Sequence, residues 1–182
     1  MINQGNSGKG AATAVAPTND ALQMLVQAGA GPEPICKEMA GIFQVRLTEI
    51  ALLHLNHKVL RFLFPQELKT MGMIPLSSPS IAAHTALSGE PETFNNFAEV
   101  KHASVFETVK LGSSAEKQAI QKMMSAPVLD DNHNVLGVLQ VSRKGSDLSS
   151  SGPDFTAADI KLIQAAAKVL SKASFLQPAS KK

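Results

Sequence analysis

The chain has 182 residues, of which 44% are hydrophobic and 18% charged, enough to bury the core of a single globular domain of about 150 residues. Its 17 basic and 15 acidic residues leave a net charge of +2, which argues against a protein that binds nucleic acid through a basic surface. The single cysteine, Cys36, excludes an internal disulfide or a cysteine zinc site, and the absence of an apolar signal or membrane-spanning run predicts a cytoplasmic protein.

The N-terminal part of the sequence predicts a tail followed by two helices. Residues 1–17 carry hardly any large apolar side chains, so we expect a disordered tail. Residues 18–33 predict a short helix and a linker, because a Gly-Ala-Gly-Pro segment ends the apolar pattern. Pro34 suits the first position of a second helix, which continues to about Phe43.

A change to period-two alternation predicts a β-hairpin with strands at 49–55 and 59–64. A third helix is expected to start with Pro79 at its first position and to end at Gly89, since proline favours helix starts and glycine helix ends. A short strand is possible at 91–94.

A second hairpin is the clearest strand pair in the sequence. It spans 123–129 and 135–143, and a five-residue turn rich in Asp and Asn joins the strands. Residues 95–121, which precede it, mix apolar and charged residues without a clear period, so no regular structure is predicted there.

The strongest helix start is the sequence Phe-Thr-Ala-Ala-Asp at 155–159. Thr156 is placed to cap the N–H of Asp159, the Asp159 carboxylate can accept from Thr156 in return, and the phenylalanine can pack on Ile160. An apolar stripe follows to about Lys172 and predicts a helix packed against a sheet. Together the elements predict an α+β fold whose antiparallel sheet is covered by helices on at least one face.

This order of elements resembles a GAF domain, a small-molecule-binding and dimerisation module of signalling proteins. The resemblance rests on the hairpin at 49–64, the small-residue helix at 81–89, the strand pair at 125–128 and 135–141, and the helix start at 155–159. It implies a GAF-like, PAS-related sheet of five or six antiparallel strands, with terminal helices on one face and a pocket-forming helix and loop layer on the other. The domain would span 34–175, and residues 176–182 would form a tail.

The residues that bind the known ligands of that family are only partly present in this sequence. Members that bind cyclic nucleotides have an Asn-Lys…Phe…Asp-Glu pattern. The corresponding residues are Arg143, Lys144, Phe155, Asp159 and Ile160. Loss of the Asn and the Glu argues against a cyclic nucleotide, although Lys144 and Asp159 could still form an ion pair. The bilin-binding and free methionine sulfoxide reductase branches need a pocket cysteine or several cysteines, which Cys36 on an early helix does not supply.

Seven residues are candidates for lining a ligand pocket. They are His102, Phe97, Phe106, Thr85, Met124, Gln140 and Ser142. His102 lies in the irregular segment that would cap the pocket. Strand alternation puts Gln140 and Ser142, with Leu136, on the face opposite Leu139, where they would either line the pocket or lie near a solvated edge.

Other polar groups predict no catalytic or metal site. The five histidines do not cluster, so neither a metal nor another cofactor is expected. His84, in the middle of a helix, is more simply explained as a hydrogen-bonded interior residue.

The resemblance therefore implies a non-catalytic sensory or regulatory module that binds a small molecule or a protein partner. It would signal through a partner or through a homodimer formed by its terminal helices, without nucleic acid or membrane. One alternative is a structural or dimerisation scaffold whose pocket is filled by Phe97, Phe106 and methionines. The other is an enzyme of unrecognised activity, and one version of it would use His102 and His84.

Overall fold

The computed structural model describes residues 19–70, 72–100 and 118–177. The helices are α1 (Asp20–Gln27), α2 (Pro32–Phe43), α3 (Ile81–Ser88) and α4 (Ala157–Leu170). The strands are β1 (Ile50–Asn56), β2 (Val59–Phe64), β3 (Met73–Pro75), β4 (Glu92–Phe94), β5 (Ala119–Leu129) and β6 (Val135–Gly145). The predicted N-terminal tail, most of the C-terminal tail, His102 and Phe106 lie outside the described residues. In the described ranges, no helix is long and apolar enough to cross a membrane.

The six strands form one antiparallel sheet in the order β3-β2-β1-β6-β5-β4. The α+β fold with five or six antiparallel strands is therefore confirmed. Both edge strands are only three residues long, which limits the unpaired backbone that a sheet edge offers to other chains.

The larger core lies between the sheet and the three helices α1, α2 and α4, and we call it the helix-side core. It contains Leu22, Met39, Leu52, Leu139 and Ile163, all with no exposed surface. Terminal helices on one face of the sheet were predicted, and this placement is confirmed.

The opposite side of the sheet, which we call the α3 face, is covered by α3. Leu53 and Val138 are paired across β1 and β6 and point to this face, one residue out of phase with the pair Leu52 and Leu139. Three alanines of α3, all buried, pack against them. Such small side chains let a helix approach a sheet closely, so little space remains under this part of α3.

The last helix begins as the sequence predicts. Thr156 Oγ1 accepts from the N–H of Asp159 at 3.4 Å, and Asp159 Oδ2 accepts from the N–H of Thr156 at 2.7 Å. Phe155 is buried in the helix-side core, where Ile160 also packs. The capping box and the apolar residue before it thus fix the point where β6 and its loop turn into α4.

Three other starts differ from the prediction. α3 begins at Ile81, because the Ser80 hydroxyl accepts from Ala83 N–H at 3.2 Å, so Pro79 is not the first helical residue. α2 begins two residues earlier, at Pro32, after an extended Gly31. β5 begins at Ala119, within the stretch to which no regular structure was assigned.

Leu136 is a further correction, because it packs in the helix-side core and not on the α3 face. Val128 pairs with Gly137, but the next residue, Leu129, pairs with Val135, so β6 has one extra residue here. Such a bulge breaks the strict alternation of faces.

Candidate functional site

Three buried polar side chains meet on the α3 face. Ser125 and Gln140 are directly paired across β5 and β6, and Thr85 approaches them from α3. Ser125 and Thr85 have no exposed surface, and Gln140 is 2% exposed. Since buried polar groups are costly without partners, their hydrogen bonds determine what this site can do.

The hydrogen bonds form a continuous chain. Gln140 Nε2 donates to Ser125 Oγ at 3.3 Å, Ser125 Oγ lies 2.7 Å from Thr85 Oγ1, and Thr85 Oγ1 lies 2.8 Å from Glu92 Oε2. A carboxylate can only accept and a hydroxyl has one proton, so Thr85 donates to Glu92. The serine proton then serves the contact with Thr85, and the chain of donors points from Gln140 towards Glu92.

The outer end of this chain reaches the surface at His84. His84 Nδ1 lies 2.8 Å from Glu92 Oε1, and the side chain of His84 is 69% exposed. The prediction that His84 is an interior residue is therefore wrong. α3 turns its alanines to the sheet, so the histidine in the same helix faces outward.

The inner end of the chain is incomplete. Gln140 Oε1 is buried and has no hydrogen-bond donor in the part of the chain that the structure describes. Gln140 lines a cavity of about 10 Å³, together with Met123, Ile120 and Ser142. That volume holds about one water molecule.

Ser142 and Lys144 are hydrogen-bonded to Thr48 and Glu49, the two residues before β1. Ser142 Oγ donates to the Glu49 carbonyl at 3.1 Å, and the Lys144 N–H donates to Glu49 Oε1 at 2.6 Å. Lys144 Nζ donates to the Thr48 carbonyl at 2.9 Å, and burial lowers its pKa. The predicted ion pair between Lys144 and Asp159 is wrong, because Asp159 is engaged in capping α4.

The remaining described pocket candidates, Phe97 and Met124, lie on opposite faces of the sheet. Phe97 is 3% exposed and packs with Met123, Ile81 and Ile120 on the same side as Gln140. Met124, also a pocket candidate, lies in the helix-side core, on the opposite face of the sheet from Gln140. Neighbouring strand residues point to opposite faces, and of the two methionines only Met123 shares the face of Gln140.

Of the five positions of the cyclic-nucleotide pattern, Lys144 lines the cavity and the other four do not. The Arg143 guanidinium stacks over the Phe155 ring at 4.8 Å. The backbone N–H and C=O of Phe155 are both bound by the Asn95 side chain, at 2.8 and 3.0 Å. Arginine and phenylalanine here hold the chain before α4 in place, which is a structural role.

Lys122 was missed by sequence reasoning, although it is 4% exposed. Its Nζ donates to the Gly152 carbonyl at 2.6 Å and lies 2.8 Å from Asp154 Oδ1. The only signal in the sequence is that Lys122 is the one charged residue of β5. Ser125 and Glu92 were also missed, because their roles depend on the pairing of β4, β5 and β6.

The sequence offers little for metal or thiol chemistry at this site. Within the described ranges, no group of three His, Cys, Asp or Glu side chains could hold a metal ion. Cys36 is fully buried in the helix-side core, and burial raises the pKa of its thiol, which keeps it protonated.

Comparison with known proteins identifies the fold. The family model described as GAF domain matches residues 34–173. The nlh2 GAF domain of A. aeolicus in an inactive state shares 13% identity with a TM-score of 0.61, covering 87% of this chain and 94% of that one. The GAF domain of an Acinetobacter phosphoenolpyruvate-protein phosphotransferase shares 15% identity with a TM-score of 0.59, covering 85% and 90%.

A similar fold also occurs in an enzyme. The free methionine-R-sulfoxide reductase of Neisseria meningitidis, solved with its substrate, shares 13% identity with a TM-score of 0.59 and covers 85% of this chain and 84% of its own. At this identity the likeness concerns the fold alone. No curated protein matches the sequence significantly.

Proposed function

Because the chain belongs to the GAF domain family, we propose that it is a non-catalytic regulatory module that binds a small molecule on the α3 face of its sheet. Binding would be signalled through self-association or a protein partner. A cytoplasmic location is part of the proposal, since the only cysteine of the sequence, Cys36, is kept as a buried thiol. The absence of a second cysteine for a thiol cycle supports the non-catalytic assignment.

The observation that carries the proposal is the unpaired Gln140 Oε1. A buried acceptor without a donor costs about 1–3 kcal/mol. The other three side chains of the hydrogen-bond chain, Ser125, Thr85 and Glu92, all have partners, so the unpaired oxygen of Gln140 stands out. A ligand that donates a hydrogen bond to this oxygen would recover that energy. The acceptor is also held in one orientation by Ser125, so it is organised before binding.

Native mass spectrometry of the full chain, purified from its own host, tests the proposal. We expect a retained small molecule in the wild-type protein and its loss in Gln140→Leu, which keeps the side-chain size but removes the acceptor. Gln23→Leu, the same change on the exposed surface of α1, is the matched control and should retain the molecule. Equal retention by both variants would contradict a site at Gln140.

A scaffold with a filled pocket is the second candidate. It is favoured by the small size of the cavity, about 10 Å³, and by the buried cluster of Phe97, Met123 and Ile120. Under this alternative no molecule is retained, and Gln140→Leu stabilises the fold because it removes an unpaired acceptor. Retention of a small molecule by the wild-type protein, and its loss in Gln140→Leu, thus separate the two functions.

A further inference from the structure

The side-chain amide of Gln140 has an orientation that its neighbours impose. Gln140, Ser125 and Glu92 are paired in one row across β6, β5 and β4, and the Thr85 hydroxyl of α3 joins the last two. The oxygen of an amide accepts hydrogen bonds and its nitrogen donates them, and the two ends have nearly the same shape. Which end faces Ser125 therefore decides whether Gln140 offers a ligand an acceptor or a donor.

The orientation follows from the carboxylate at the far end of this row. An ionised Glu92 has no proton, so Thr85 must donate to it and Ser125 must donate to Thr85. The Ser125 oxygen is then left only as an acceptor towards Gln140. Its partner is accordingly the Nε2 group of Gln140, which donates to it at 3.3 Å and leaves the amide oxygen unpaired.

Glu92 is held in this position from the surface of α3. His84 Nδ1 lies 2.8 Å from Glu92 Oε1, while Thr85 binds the other oxygen, Oε2. Both carboxylate oxygens are thus engaged. The side chain of Glu92 is 20% exposed and does not line the cavity at Gln140. It acts on that cavity only through two intervening hydroxyl groups.

The rest of the cavity lining favours a neutral ligand group. Its two charged side chains are already hydrogen-bonded within the protein. Glu49 accepts from the backbone N–H groups of Arg46 and Lys144. Lys144 Nζ in turn donates to the Thr48 carbonyl. The apolar part of the lining consists of Ile50, Ala51, Ile120 and Met123. An ammonium group would lose its hydration here without gaining a carboxylate of its own.

We infer that Glu92 determines the ligand specificity of the cavity at Gln140, because it fixes the Gln140 amide so that it accepts a hydrogen bond from a neutral N–H or O–H group. The inference rests on the proposed function and adds to it a positioning residue outside the cavity. The change Glu92→Gln supplies an NH₂ group that can donate to Thr85, which would reverse every hydrogen bond of the chain. Gln140 would then present its own NH₂ group, and the cavity would select a ligand that accepts.

NMR of the side-chain amides in the full chain tests the orientation. The test variant is Glu92→Gln in a His84→Lys background. A lysine can only donate, so it attracts the oxygen of the new amide and turns its NH₂ group towards Thr85. We expect an NOE between the Gln140 Nε2 protons and the Ser125 β-protons in the wild type and in His84→Lys alone. The double variant should lose it.

Glu90→Gln in the same His84→Lys background is the matched control, since it is the same change at an exposed residue two positions away. It should keep the NOE. Native mass spectrometry of the same variants tests the consequence for binding. The small molecule retained by the wild type should be retained about tenfold less by the variant with Glu92→Gln and equally by the control.

The outcomes separate this inference from the proposed function. An NOE that is absent from the wild type, or unchanged in the variant with Glu92→Gln, would overturn the inference alone, and so would its loss in the Glu90→Gln control. A lost NOE with full retention of the molecule would overturn both, because the molecule would then not bind the amide. If the wild type retains no molecule, the proposed function fails, and the NOE still decides whether Glu92 orients Gln140.

Discussion

Thr85 is the residue on which the buried hydrogen-bond chain depends. It is the only one of the four that contacts both a hydroxyl and a carboxylate, so it links Ser125 on β5 to Glu92 on β4. Its helix also supplies the alanines that close the α3 face. The Thr85 hydroxyl therefore connects α3, β4 and β5 through one hydrogen-bond network.

Thr85→Val keeps the shape of the side chain and removes that hydroxyl. We expect the free energy of unfolding to fall by about 1–3 kcal/mol, because Ser125 and Glu92 lose a buried partner. Thr85→Ser, which keeps the hydroxyl, is the control and should lose less. Urea denaturation of both variants measures the difference; a Val variant as stable as the Ser variant would contradict the role of the network.

Gly137 is required by the close approach of β1 and β6. A Cβ atom at this position would lie 2.1 Å from the carbonyl oxygen of Leu53, which is backbone and cannot move aside alone. We expect Gly137→Ala to destabilise the fold by about 3 kcal/mol or more, or to prevent folding.

A glycine in open space provides the matched control. Gly41 lies within α2, and a Cβ there would meet no atom within 4 Å. Gly41→Ala should stabilise the protein by up to about 1 kcal/mol, because alanine favours a helix. Thermal unfolding of the two variants should shift in opposite directions; a shift of the same sign and size would refute the argument.

At the scale of elements, the segment between β6 and α4 is held by side chains from elsewhere in the fold. Lys122 binds Gly152 and Asp154, and Asn95 binds the backbone of Phe155. These contacts join β4 and β5 to the start of α4. The start of α4 is therefore held both by side chains from Lys122 and Asn95 and by its own capping box.

Lys122→Met removes the ammonium group and keeps a long apolar side chain. We expect amide exchange at Phe155 to become about tenfold faster, because the loop opens more often when Lys122 no longer binds it. Lys161→Met, on the exposed surface of α4, should leave that exchange unchanged. Equal rates in the wild type and Lys122→Met would show that Asn95 and the cap suffice.

Elements with strong local signals are the ones that sequence predicts. Both hairpins have largely apolar strands joined by short polar turns, and the start of α4 has a complete capping box, so their positions follow from local sequence. β3 has three residues, too few to show a period, and was missed. Its formation depends on pairing with β2.

The site was predictable only in part for a related reason. Alternation along β6 places Gln140 and Ser142 on one face, but it cannot tell which residue of β5 lies opposite. Only the register shows that Ser125 faces Gln140, while Met124 points to the helices. Sequence therefore predicted one strand of the site and not the partner that organises it.

At the scale of the whole molecule, the proposed self-association would use the side of the fold that carries α1, α2 and α4. α1 buries Leu22 and Val26 in the helix-side core but leaves Met24 70% exposed, more than any other large apolar side chain described. An exposed methionine on a terminal helix is suited to packing across a two-fold axis, and the proposed self-association places the interface there.

Sedimentation equilibrium at about 100 μM tests this interface, a concentration that populates dimers of micromolar affinity. We expect the wild-type chain to sediment as a dimer and Met24→Glu as a monomer, because a charge buried across a two-fold axis meets its own copy. Met73→Glu is the matched control, since Met73 is 52% exposed on the edge strand β3 and is not part of α1, α2 or α4. A wild-type monomer, or dimers in both variants, would remove the helical interface and leave signalling to a protein partner.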